Sequence, residues 1–224
     1  MYDDSEITEV APEASFAIRE MIGSNVTSSA TLMIKRDSRD RPWHTTKGSV
    51  NSASFEYAGL GGDVAFYKYQ GESSWFFPMF WDTVLLARGR IGYVQKGSGG
   101  KLPVYQKFTL GGINTVRGFD FGSISPRDPD TGDRIGGEKM MVFNLEYRFP
   151  LLKEQGLIGL VFFDAGNVFA KDESYTFSGI RRSAGAGLRW YSPIGPLRLE
   201  YGWNLDRKDD EESGGWEFTV GGTF

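Results

Sequence analysis

Apolar and polar residues alternate singly along most of this chain. Ala30, Leu32 and Ile34 fall on one side of an extended backbone, and Thr31, Met33 and Lys35 fall on the other. The same period recurs where Ala53, Phe55 and Tyr57 oppose Ser52, Ser54 and Glu56. Ala65, Tyr67 and Tyr69 oppose Phe66, Lys68 and Gln70, and the run continues through Trp75 and Phe77. Leu85, Ala87, Ile91 and Tyr93 oppose Arg88 and Arg90; Phe143, Leu145, Tyr147 and Phe149 oppose Asn144, Glu146 and Arg148. Residues 157–168 are apolar on both faces. Ala184, Ala186, Leu188 and Trp190 then oppose Arg181, Ser183 and Arg189, and Leu197, Leu199, Tyr201 and Trp203 oppose Arg198, Glu200 and Asn204. A last strand over 215–224 sets Trp216, Phe218, Val220 and Phe224 against Glu217, Thr219, Gly221 and Thr223. A period of two marks strands with unlike faces. The pattern predicts nine strands, with Tyr2 to Val10 as the remnant of a tenth.

Short turns at 78–82, 150–155 and 192–196 alternate with longer polar segments at 11–26, 97–139, 170–179 and 206–214. Short turns on one rim and long loops on the other are the habit of an outer-membrane barrel. Trp75, Trp81, Tyr191 and Trp203 lie near strand ends, where interfacial ring belts sit. The terminal strand ends on a free aromatic with no polar tail, an exposed edge in a soluble sheet but not in a membrane barrel. The expected fold is all-β: an antiparallel up-and-down transmembrane β-barrel or part of one, with about 8–10 strands. A soluble sandwich shares the alternation but does not segregate its loops in this way.

Composition narrows the function classes. The chain has 224 residues, a length for one domain or one barrel. No apolar run approaches the roughly 18 residues of a membrane helix, and the mean hydropathy of −0.34 suits a barrel whose inner half is polar. A scattered net charge of −4 argues against a nucleic-acid surface. With no cysteine and one histidine, neither a metal nor a cofactor is expected. His44 lies in Pro42-Trp43-His44-Thr45 without a serine motif, so it reads as a turn residue and the chain as no enzyme. Met1-Tyr2-Asp3-Asp4 lacks the charged start and apolar stretch of a signal peptide, so natural sequence upstream is expected.

The outlier is the loop at about 97–139. It carries Phe108-Thr109-Leu110-Gly111-Gly112, then Val116-Arg117-Gly118-Phe119, then a stretch rich in Asp, Pro and Gly. Loops of this length are usually functional, and an apolar, glycine-studded tract beside one arginine predicts a loop folded inward against a wall. Glu146 lies on the polar face of its strand, and Asp164 sits amid Leu160, Val161, Phe162 and Phe163, where an unpaired carboxylate is costly.

Gly111-Gly112, the Val116-Arg117-Gly118-Phe119 tetrad, Phe162-Phe163-Asp164-Ala165-Gly166 and the terminal aromatic together resemble the outer-membrane insertase superfamily, also called the bacterial surface antigen family. Within it the resemblance is closest to the BamA-type members, and it covers about residues 27 to 224. Arg36-Asp37-Ser38-Arg39-Asp40 with Thr46-Lys47-Gly48 resembles a periplasmic turn of that family. The resemblance implies that Arg117 sits at the tip of an extracellular loop inside the barrel and meets Glu146 and Asp164 on the inner wall. The alternative is a solvated Arg117 and a lumen carboxylate bonded to water. Gly118 is expected to allow a backbone turn closed to other residues, Phe119 to fill a notch beside Phe162, and Gly166, Gly185 and Gly187 to admit the loop.

The function implied is insertion of β-barrel proteins into the bacterial outer membrane through a lateral gate, at which the terminal strand pairs weakly and the bilayer is perturbed. The alternative is a translocation pore of the two-partner secretion type. The partners implied are unfolded outer-membrane proteins, outer-membrane lipids and accessory lipoproteins of an assembly complex. Family barrels have 16 strands behind small periplasmic domains, so residues 1–224 are expected to be the C-terminal part of such a barrel, without those domains and the first strands.

Overall fold

The computed structural model describes residues 2–192, 195–209 and 211–221. Ten strands form one antiparallel sheet in simple chain order. They are β1 (Tyr2–Ile7), β2 (Gly23–Asp37), β3 (Gly48–Gly62), β4 (Phe66–Pro78), β5 (Val84–Lys96), β6 (Lys139–Leu152), β7 (Leu157–Phe169), β8 (Arg181–Ser192), β9 (Gly195–Asn204) and β10 (Gly214–Val220). Every neighbour in sequence is a neighbour in space, the meander of an up-and-down barrel. Among the described residues no ladder joins β10 to β1. The possible tenth strand at the start of the chain is real: β1 pairs with β2 from Tyr2↔Ser28 to Ile7↔Gly23.

Register carries the two-residue alternation across the sheet, because a hairpin fixes which residues stand opposite. Leu32, Phe55, Tyr69 and Tyr93 come level across β2 to β5. The outward face therefore carries a ring ladder, with Phe55 and Tyr69 centroids 4.9 Å apart and Tyr69 and Tyr93 6.3 Å apart. Residues on that face are exposed or half-exposed in the isolated chain, as lipid-facing positions are.

Loop segregation holds apart from two connections, one of which is the ten-residue 38–47 on the short-turn rim. Residues 38–47, 79–83 and 153–156 connect strands on one rim, while 8–22, 97–138, 170–180 and 205–213 lie on the other. The other is the tight connection 63–65, which the alternation did not separate from its strands and which lies on the long-loop rim. The expected loop at 11–26 lies earlier, over 8–22: it starts after Ile7, contains a single helical turn (Phe16–Arg19) and re-enters strand at Gly23. The terminal strand runs over Gly214–Val220; of the expected strand 215–224, residues 222–224 (Phe224 among them) lie outside the described residues, as do Pro193 and Ile194 of the expected turn at 192–196.

The core is built inside the sheet, not between two sheets. Loop residues Phe108, Leu110, Val116, Phe119 and Ile124 pack with Phe66, Val94, Met140, Val142 and Val168 of the wall. Paired segments Phe108↔Gly137 and Leu110↔Ile124 fold the loop on itself before it meets the strands. The inward-folding loop read from the sequence is thus observed, and its apolar half is what holds it there.

Candidate functional site

The loop tip delivers Arg117 into a buried cluster of charge. Its Nε donates to Asp164 Oδ2 at 2.6 Å and its Nη2 to Asp164 Oδ1 at 2.7 Å, a bidentate fork. Its backbone N–H adds a third bond to Oδ2 at 3.1 Å. Nη1 is shared between Glu146 Oε1 at 2.8 Å and Glu200 Oε2 at 2.7 Å. The guanidinium lies 3.6 Å above the centroid of the Phe162 ring, which attracts the cation by its face. Arg117 is 2% exposed and Asp164 0%. A buried carboxylate persists only when its lone pairs are filled, and Asp164 accepts these bonds and one from Asn144 Nδ2 at 2.8 Å.

The strands bring these groups level from far apart in sequence. Asp164 on β7 stands opposite Asn144 on β6 and Ser183 on β8. Glu146 lies two residues beyond Asn144 on the same face. There it also accepts from Arg148 Nε at 2.8 Å and from Arg189 Nη2 at 2.7 Å. Glu200 on β9 accepts from Arg189 Nε at 2.8 Å and Arg198 Nε at 3.0 Å. Three carboxylates thus serve four arginines. Only arginine can do this, since its planar fork spreads one charge over several acceptors and stays protonated when buried.

The tip backbone is held as firmly as its side chain. Asn144 Nδ2 donates to Thr115 O at 2.7 Å, Arg198 Nη2 to Ile113 O at 3.1 Å, and Arg90 to Asn114 O. Gly118 N–H donates to Glu217 Oε1 on the terminal strand at 2.6 Å. Gly118 has φ +82°, and a Cβ placed there would lie 2.6 Å from Gly202 O. Conversely, a Cβ on Gly202 would lie 2.6 Å from Gly118 N, so two glycine backbones touch where the loop meets β9.

The predicted site residues come together with one adjustment. Arg117, Glu146, Phe162 and Asp164 meet, and Gly166 admits Val116 and Leu110, whose methyl groups would lie about 3 Å from an added Cβ. Phe119 is buried and its ring receives Arg181 at 4.8 Å, while the ring beneath Arg117 is Phe162. Gly185 and Gly187 make room for the Phe162 ring and the Glu200 side chain rather than for the loop. Of the terminal-strand residues, Trp216, Phe218 and Val220 all point outward and are exposed. Glu200, Glu217, Gly202 and the arginines 148, 189 and 198 were not read as site residues. Their inward parity was visible in the sequence, but their level relative to Arg117 was not.

On the short-turn rim the 38–47 turn is organised by Asp40. Partial desolvation works against its charge, but Thr46 Oγ1 at 2.7 Å and the N–H groups of Thr46 and Lys47 bring its pKa down to about 2. His44 packs on the Tyr191 ring at 3.8 Å between centroids, and burial, aided by Arg41, lowers its pKa. Among the described residues no three metal-ligating side chains converge.

An antiparallel strand meander with an outward apolar ladder, a polar interior and an arginine-tipped loop seated within defines a membrane barrel of the plugged-lumen class. The Omp85 superfamily domain matches residues 5–224, and the chain belongs to that superfamily. The outer membrane protein assembly factor BamA of Nitratidesulfovibrio vulgaris is 36% identical over 227 residues, covering 99% of this chain and 29% of that relative. BamA of Neisseria meningitidis serogroup B is 28% identical over 220 residues, covering 84% of this chain and 28% of the relative. Among solved structures, BamA from Haemophilus ducreyi lacking POTRA domains 1-3 matches with a TM-score of 0.78 at 25% identity, over 97% of this chain and 46% of that one. The chain spans under a third of the length of these curated relatives. Its place is the bacterial outer membrane.

Proposed function

We propose that this chain is barrel structure of an outer-membrane protein assembly factor, which folds and inserts β-barrel proteins by pairing their strands at a weak edge and perturbing the bilayer. The single observation that carries the reading is the seat of Arg117 on Asp164, Glu146 and Glu200. It fixes a long loop inside the barrel and so fixes the shape of the wall from which a gate must open. Relatives named outer membrane protein assembly factor support the assignment.

The work proposed is non-covalent. An unfolded strand would add to an exposed edge by backbone hydrogen bonds, the general mode of strand addition. Unfolded outer-membrane proteins, outer-membrane lipids and accessory lipoproteins are the partners this reading requires. Residues 1–224 would supply the C-terminal part of the barrel domain.

The test places the natural protein carrying this chain in liposomes with an unfolded barrel client and follows the client's heat-resistant folded form. Arg117→Ala is expected to slow client folding about tenfold or more, because it strips the cation from a buried cluster of carboxylates. It should also open the loop to trypsin at Arg127 and Arg134. Unchanged loop protection together with unchanged client folding would sink the proposal. A large steady conductance without client folding would replace it with the secretion pore.

A further inference from the structure

Glu200 and Glu217 stand directly opposite each other where the last strand joins the sheet. They are register partners on β9 and β10, and both share the inward face. Like charges directly opposed destabilise an antiparallel pair. Here each is bound by a consecutive residue of the loop tip: Arg117 Nη1 reaches Glu200 Oε2 at 2.7 Å, and Gly118 N–H reaches Glu217 Oε1 at 2.6 Å. The tip therefore lies across the seam between β9 and β10. The Gly118–Gly202 backbone contact holds it there, two register positions from the two carboxylates.

The two carboxylates are not equally provided for. Glu200 keeps Arg189 and Arg198 whatever the loop does. For Glu217, Gly118 is the hydrogen-bond partner the structure shows, and its Oε2 is buried without one among the described residues. A half-satisfied buried carboxylate is held weakly, since leaving the lumen returns it to water. Such a group suits a contact that must release. β10 is also short, at seven residues, with β9 as its paired neighbour.

We propose that Glu217 is a positioning residue that couples the seat of the loop tip to the pairing of the terminal strand. With Arg117 and Gly118 seated, the opposed carboxylates are bridged and β10 stays zipped to β9. With the tip withdrawn, Glu200 keeps two of its three arginines but Glu217 loses its Gly118 bond and is left as an unbonded carboxylate opposite Glu200, and β10 is released. The coupling rests on the assembly reading for its use, since it would make the terminal edge available only when the loop moves.

Amide hydrogen exchange of the natural protein in lipid, without client, tests the coupling separately from assembly activity. The comparison uses the unmutated protein, Arg117→Ala, Glu217→Gln and the double variant. Glutamine keeps an acceptor for Gly118 and removes the opposed charge. Arg117→Ala is expected to speed exchange over 216–220 about tenfold or more, the sign of local opening. Glu217→Gln alone should stay within about twofold of the unmutated protein, and the double variant should lose most of the Arg117→Ala acceleration. The proposal is overturned if Arg117→Ala leaves 216–220 unchanged, or if the double variant opens as far as Arg117→Ala alone. Should Arg117→Ala fail to fold, the Gly118 amide of the unmutated protein decides. Slow exchange relative to Gly122 upholds the bond on which the coupling rests, and equal exchange overturns it.

Discussion

Asp164 and Glu72 are both inward carboxylates of the same sheet, and both are paired with arginine, yet the loop makes them physically different groups. Asp164 lies under the loop tip, fully buried, with Arg117 forked onto it. Glu72, on β4, meets Arg88 at 2.8 Å, and both side chains remain about one-third exposed. The charge on the first is a structural commitment, because breaking a buried pair strands the surviving partner. The second is a water-screened pair of little net worth. The contrast with apolar residues inverts the usual rule of burial: Leu32 and Ile34 on β2 are 65% and 70% exposed while Asp164 and Glu200 are sealed. In this wall, burial is decided first by which face a residue takes and then, on the inward face, by where the loop lies, and not by residue type.

The largest expected effect therefore falls on Asp164. Asp164→Asn removes one of three carboxylates serving four arginines and turns an amide donor toward a buried guanidinium. It should cost about 3–5 kcal/mol, seen as a lowered urea midpoint for loss of the heat-resistant folded form. Glu72→Gln, the matched change outside the loop's cover, should cost less than about 1 kcal/mol. Equal costs for the two would break the comparison.

A smaller effect is expected at the glycine contact. Gly202→Ala drives a methyl into the Gly118 backbone and should cost about 1–3 kcal/mol, with faster proteolysis of the loop. Gly215→Ala, at the facing position on β10, meets open space and should stay within about 0.5 kcal/mol of the unmutated protein. A loop left intact by Gly202→Ala would show that the seat tolerates displacement from the wall.

The smallest effect concerns the 38–47 turn, which no loop covers. The folded pKa of Asp40 is about 2, below its ordinary 3.8. A depressed carboxylate contributes order that is fully present above the unfolded pKa and is lost as pH falls through the folded one. Exchange of the Thr46 and Lys47 amides should thus be flat above about pH 4, after correction for intrinsic rates, and speed up toward pH 2. Asp40→Asn should abolish that step; a step that survives in Asp40→Asn would assign it to another group.

Most of the strands were legible because each is long, alternates cleanly and faces two unlike solvents, so parity alone announces it. The turn at 63–65 escaped notice because Gly61, Gly62 and Asp63 interrupt the alternation without lengthening it. The helical turn at Phe16–Arg19 escaped because four residues carry no period. Asp164 was legible as a site residue by its incongruity, a carboxylate in an apolar run. Glu200 and Glu217 were not, since each looks like any inward polar residue of its strand.

By itself the sequence determined the all-β class, the two faces of nearly every strand, the inward loop and the need for a cation near Asp164. All of these follow from local periodicity or from the cost of burying one charge. Only the tertiary structure decided which inward residues stand level with Arg117. That depends on the register of several successive hairpins and on where the apolar half of the loop packs. Parity fixes a side chain's face from its neighbours two positions away, whereas its height along the barrel is the accumulated outcome of turns across more than 80 residues.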